Sequence, residues 1–117
     1  MARLSTHVLD TARGIPAEGV TVDLHHLRNG ERLHVKTMIT NVDGRTNAPL
    51  LSADLIETGV YELTFHAGRY LRTTGALLAN PPFLDEVIVR FGVADPQGNY
   101  HVPLLLSPFG YSTYRGS

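Results

Sequence analysis

Apolar residues recur at every second position in short runs along this chain, and turn-forming clusters separate the runs. Period two is the repeat of a strand with one buried face, so most of the sequence is committed to β-structure. In "VTVDLHHL" the residues Val20, Val22 and Leu24 share a face. In "RLHVKTMI" the residues Leu33, Val35 and Ile39 are expected to do the same, with Lys36 and His34 turned away and the hairpin turn at Asn29 to Glu31. "VYELTF" turns Tyr61, Leu63 and Phe65 inward and Glu62 and Thr64 outward, and "VIVRFGV" repeats this with Val87, Val89, Phe91 and Val93. "LSTHVLD", "YHVPLLLS" and the closing "YSTYRG" bring the segments that read as strands to seven, and about eight strands are expected in all. Helical spacing is confined to "GRYLRTTGALL", which begins at Gly68 and is stopped by "NPP" at Asn80 to Pro82. The pattern predicts an all-β sandwich of two sheets with one short helix.

A chain of 117 residues makes one domain, 1–117, with a modest core. Charged residues make up only 18% of it, below the ~25% of an average domain, which points to surface covered by another subunit. The net charge of -1 provides no basic excess for phosphate backbones or anionic lipid, so neither nucleic acid nor membrane is an expected partner. Cysteine is absent, which excludes disulfides, thiolate catalysis and Cys-type zinc sites. "MARLSTHVLD" lacks the basic segment and apolar run of a secretory signal, and a cytoplasmic location is expected.

Strand parity also marks residues that the core does not need. In "LSTHVLD", Leu4 and Val8 take one face while His7 and Leu9 take the other. In "YHVPLLLS", Val102, Leu104 and Leu106 leave His101, Pro103 and Leu105 opposite. That second face is too apolar for plain surface, and Pro103 removes a ladder donor, which strands tolerate at edges and bulges. It reads as a face that meets another subunit, with a histidine set in the contact. The remaining histidines, His25, His26, His34 and His66, read as ordinary surface or edge residues. His25 and His26 are adjacent on opposite strand faces and no HxH or HExxH arrangement occurs, so no metal site is expected. Arg45 follows the turn Val42-Asp43-Gly44, and its planar fork suits a planar, oxygen-rich, often anionic small molecule.

Taken together, "THVLDTARGIPA", "DGRTNAPLL" and "HVPLLLSPFGYSTYRGS" resemble the transthyretin-related 5-hydroxyisourate hydrolases of purine catabolism, and "PFLDEVIVRFGVADP" is similar to the family's later half. The resemblance spans nearly the whole chain and is most specific in "HVLD", "DGR", "HVPLLLSP" and "YRGS". It implies a transthyretin-like sandwich of two four-stranded antiparallel sheets with one short helix. It further implies a homotetramer, a dimer of dimers, with sites at the dimer-dimer interface. By motif it implies His7, His101, Arg45 and Ser117 as catalytic residues, and His7, Arg45, Tyr114, Arg115 and Gly116 as substrate-binding residues. The reaction implied is hydrolysis of 5-hydroxyisourate to 2-oxo-4-hydroxy-4-carboxy-5-ureidoimidazoline by water attack on a ring carbonyl, with no metal or organic cofactor. One imidazole would take the water's proton and the other would hold the water or return a proton to the leaving nitrogen, with either order open. Arg45 would stabilise charge on the tetrahedral intermediate, while Tyr114 and Ser117 would position groups around it. The alternative within the same fold is a transthyretin-like carrier of a small ligand, against which the histidine, arginine and "YRGS" set stands.

Overall fold

Among residues 2–117, which the computed structural model describes, nine strands and one α-helix form. They are β1 (Arg3–Asp10), β2 (Ile15–Pro16), β3 (Thr21–Arg28), β4 (Glu31–Ile39), β5 (Leu51–Ser52), β6 (Gly59–His66), α1 (Ala67–Thr73), β7 (Glu86–Val93), β8 (Asn99–Ser107) and β9 (Gly110–Thr113). One sheet runs β2-β1-β8-β9 with β5 added to β1, and the other runs β4-β3-β6-β7. The fifth strand of the first sheet and the count of nine arise because β2 and β5, two residues each, both pair with β1. The first sheet is mixed, since β1 and β8 run parallel. No hairpin joins these two strands, and a connection that passes through the whole opposite sheet leaves their relative direction free.

Inward-facing residues of both sheets meet in one core. Leu4 and Val8 from β1, Val22 and Leu24 from β3, Leu63 and Phe65 from β6, and Leu104 and Leu106 from β8 are all buried there. The helix caps this core with Ala67, Tyr70 and Leu71. It starts at Ala67 and its last helical residue is Thr73, ahead of Gly75 (φ +81°) and well short of the proline pair. The Tyr70 hydroxyl donates to buried Asp10 Oδ2 at 2.8 Å, which ties α1 to β1, and this burial pushes the phenol's pKa up to about 12. Among the described residues no helix is long and apolar enough to cross a membrane.

Strand β4 departs from its expected parity. Leu33, Val35 and Ile39 are 41, 40 and 60% exposed, so they do not form a core face. Leu24 pairs with Lys36 and His25 with His34, which leaves Val35 as an extra residue in a β-bulge. Because opposed residues share a face, the bulge puts Leu33 on the inner side with His26 and Ile39 on the outer side with Thr21. Lys36 likewise shares the face of Leu24, and Met38 is the β4 residue that packs on the core. The β3/β4 turn is shorter than expected, with Asn29 (φ +54°) and Gly30 (φ +78°) at its corner and Glu31 already paired with Arg28. His26 is buried rather than at the surface, its ring stacked on Tyr61 at 4.2 Å. Glu62 and Thr64 do face outward yet are buried, because Arg32 and Arg90 close over Glu62 from β4 and β7, with 2.8 Å bonds to its two oxygens, and Arg32 also donates to Thr64.

Candidate active site

The two short strands prepare the site by what they leave open. β2 pairs with Leu9 and Asp10, and β5 with Arg3 and Leu4, so the middle of that edge of β1 accepts a loop instead. Asn41 builds the loop: its side-chain oxygen accepts from the N–H groups of Asp43 and Arg45, and its carbonyl accepts from Gly44. Gly44 takes φ +74° and sits against β1, where Val8 N–H donates to its carbonyl at 2.8 Å. The result is an antiparallel bridge between His7 and Arg45. Arg45 thereby lies at the edge of the same outward face that carries His7.

Across the parallel β1/β8 pair, Arg3 stands opposite Asn99, Ser5 opposite His101, and His7 opposite Pro103. Past β9 the chain keeps its register along β8, and Gly116 N–H donates to the His101 carbonyl at 2.7 Å. A cavity of about 410 Å³ opens where these segments meet. Its lining includes Arg3, Ser5, Arg45, Asn47, Asn99, His101 and Ser117. Burial, and then the positive neighbours Arg45 and Arg3, hold the His101 pKa below the ordinary imidazole value, and His7 acts in the same direction whenever it carries charge. Its Nδ1 lies 2.8 Å from Ser5 Oγ. His7 lies at the rim, where its Nε2–H donates to the Asp43 carbonyl at 2.8 Å and leaves Nδ1 as the lone-pair nitrogen of the neutral ring. Among the described residues no three His, Asp or Glu side chains converge as metal ligands.

The closing "YRGS" divides. Gly116 packs on the His101 ring and Ser117 lines the cavity. Tyr114 and Arg115 instead border a second depression with Phe91, Tyr100 and Val102. There the Arg115 guanidinium lies 4.3 Å from the centre of the Tyr100 ring and donates to the Asn99 carbonyl at 3.3 Å. Arg45, His101 and Ser117 thus share one cavity in this chain, with His7 beside it and Tyr114 and Arg115 on another wall.

The HIUase/Transthyretin family profile matches residues 4–116. The chain belongs to the HIUase/transthyretin family. Within that family it is 56% identical to 5-hydroxyisourate hydrolase 2 of Rhizobium meliloti, over 98% of this chain and 96% of the relative. The solved 5-hydroxyisourate hydrolase of Klebsiella pneumoniae superposes with a TM-score of 0.81 at 36% identity, with all of both chains covered. Sea bream transthyretin, solved with thyroxine, superposes at 0.87 with 29% identity over 98% of this chain and 95% of that one. The HIUase/transthyretin fold is therefore the fold of this chain.

The lining residues that were not singled out by sequence include Arg3, Ser5, Asn47 and Asn99. Parity alone could have found the first two, since Arg3 and Ser5 share the outward face with His7. Asn99 carried no such signal, because its place depends on the register of β1 with β8.

Proposed function

We propose that this protein hydrolyses 5-hydroxyisourate, the activity by which its hydrolase relatives are named. The observation that carries the reading is the meeting of Arg45, His101 and Ser117 in one polar cavity, in a chain 56% identical to a named hydrolase. Water attacks a ring carbonyl, the carbonyl oxygen takes up charge, the carbon–nitrogen bond breaks, and the ring nitrogen leaves with a proton while the carbonyl becomes a carboxylate. His101, held below the usual imidazole pKa, is neutral at neutral pH and can accept the water's proton. Arg45 offers a two-pronged donor to the oxyanion. His7 Nδ1 is the second proton-handling atom, and the Ser117 hydroxyl helps orient the substrate. The lining of arginine, asparagine, serine and histidine fits an oxygen-rich heterocycle better than the hydrophobic ligand of a carrier.

Outward-facing Leu9 and Leu105, opposite each other across β1 and β8 and only half-buried in one chain, support closure of the site by another subunit in a homotetramer. The test is to generate 5-hydroxyisourate from urate with an oxidase and follow its ultraviolet signal with and without the protein. Wild type is expected to speed the decay, and His7→Asn and His101→Asn to lower turnover at least ~100-fold with the fold retained. No acceleration by wild type would overturn the reading.

A further inference from the structure

Ser5 stands directly opposite His101 across the parallel strands, with its Oγ 2.8 Å from Nδ1. Gly116 closes on the other edge of the ring. A Cβ there would lie 2.6 Å from His101 Cδ2 and 3.2 Å from Cγ, closer than a real side chain is found. The imidazole is therefore seated between a hydroxyl at Nδ1 and a bare Cα at Cδ2.

Half a turn of the ring about Cβ–Cγ exchanges Nδ1 with Cδ2, and Nε2 with Cε1. The two orientations have nearly the same shape, so packing against Gly116 cannot tell them apart. Only a hydrogen bond distinguishes the nitrogen from the C–H. Among the described residues Ser5 is the one side chain bonded to the His101 ring. We infer that Ser5 is the positioning residue of His101, selecting the ring orientation that delivers Nε2 rather than Cε1 to the cavity, while Gly116 supplies the room that the ring needs in either orientation. This rests on the hydrolysis proposed above and assigns Ser5 a part in the same site.

A hydroxyl suits that position chemically. It accepts from Nδ1–H when Nε2 must carry a lone pair, and it donates to bare Nδ1 when Nε2 must deliver a proton. A carboxylate in its place would hold Nδ1–H permanently and favour the charged ring. The groups facing His101 from neighbouring segments, Arg3, His7 and Arg45, disfavour that charge. A neutral partner at Nδ1 leaves their effect intact.

Wild type, Ser5→Ala and Ser5→Thr are to be compared by long-range 1H–15N NMR of the imidazole nitrogens and by steady-state kinetics. Ser5→Ala is expected to lower kcat about 10- to 100-fold with KM little changed, the scale for a lost orienting partner of a functional imidazole. It is also expected to move the His101 Nδ1 shift, because that nitrogen loses its hydrogen-bond partner, and to leave the ring disordered between its two orientations. Ser5→Thr, which keeps a hydroxyl on a strand-favouring side chain, is expected to restore both readouts. Wild-type nitrogen shifts or wild-type kcat in Ser5→Ala would overturn the assignment. The NMR readout needs no substrate, so it stays separate from the reaction. A wild type inactive on 5-hydroxyisourate would overturn the proposed function, and a disordered His101 ring in Ser5→Ala would then still support the contact.

Discussion

A side chain at Gly44 would run into the carbonyl oxygen of Val8, the residue whose N–H is bonded to the Gly44 carbonyl at 2.8 Å. The glycine is required twice, by this approach and by its φ of +74°. Gly44→Ala is expected to cost about 1–3 kcal/mol and to displace Arg45, with a rate loss of roughly 100-fold. Gly14 has a similar φ of +68° but open space around it. Gly14→Ala is expected to lose only the backbone part, about 1 kcal/mol, and to keep its rate. Denaturant melts and initial rates of the two variants decide this, and equal activity losses would refute the placement of Arg45 by Gly44.

Arg45 has two separable effects, a forked donor geometry and a charge beside His101. Arg45→Ala removes both. Its rate is expected to fall about 100-fold or more, as when one oxyanion donor is lost. With a positive neighbour gone, the His101 pKa rises, so the acid limb of the pH–rate profile moves up toward the ordinary imidazole value. Arg45→Lys keeps the charge and loses the fork, so its limb should stay near that of wild type while its rate stays low. Recovery of most of the rate by lysine would mean that charge alone matters.

How much of this was legible in the sequence follows from the range of each signal. Alternation put His7 and His101 off the core face because parity is set by neighbours two residues away, and the long strands of both sheets followed from the same pattern, whereas β2 and β5, two residues each, are too short to alternate. The β4 bulge was not legible, since an extra residue is defined only against a partner strand, and Val35 looks like any other apolar position. The Ser5–His101 contact spans 96 positions and depends on a parallel register that no hairpin announces. "YRGS" was legible as a motif but not as two groups, because the faces taken by Arg115 and Gly116 follow from the register with β8, which sets Gly116 opposite His101 and leaves Arg115 over Tyr100.

The buried Glu62 lies on the outer side of the other sheet, away from the cavity. It is 4% exposed, and its bonds to Arg32 first and Arg90 second hold its carboxyl pKa below the ordinary value. A lowered carboxylate pKa stabilises the fold at pH above the unfolded pKa, and this is lost as pH falls through the folded one. Glu62→Gln is expected to cost about 1–2 kcal/mol at neutral pH, near the lower end for charged hydrogen bonds because both arginines are half-exposed. The difference from wild type should shrink in acid, and hydrolysis should be unchanged. A stability gap that is constant with pH would show that the carboxylate charge is not what the arginines hold.

The two halves of the closing tetrapeptide should fail differently when removed. β9 ends at Thr113, so deleting residues 114–117 leaves both sheets paired. It takes away the Gly116 bond to the His101 carbonyl, the Ser117 side of the cavity and the Arg115 contact with Tyr100 together. Hydrolysis by this deletion is expected to vanish with the fold intact by circular dichroism. Arg115→Ala removes only the contact on the second wall, which is a partly exposed cation over a ring and one long bond to Asn99. Its expected cost is about 0.5–1 kcal/mol of stability, and its rate should fall far less than that of Ser117→Ala or of the deletion. Arg115 would matter more if its guanidinium left Tyr100 to reach substrate. Then Arg115→Ala would raise KM and match the deletion in rate while its melt stayed that of wild type, and the wall assigned to Tyr114 and Arg115 would belong to the substrate site after all.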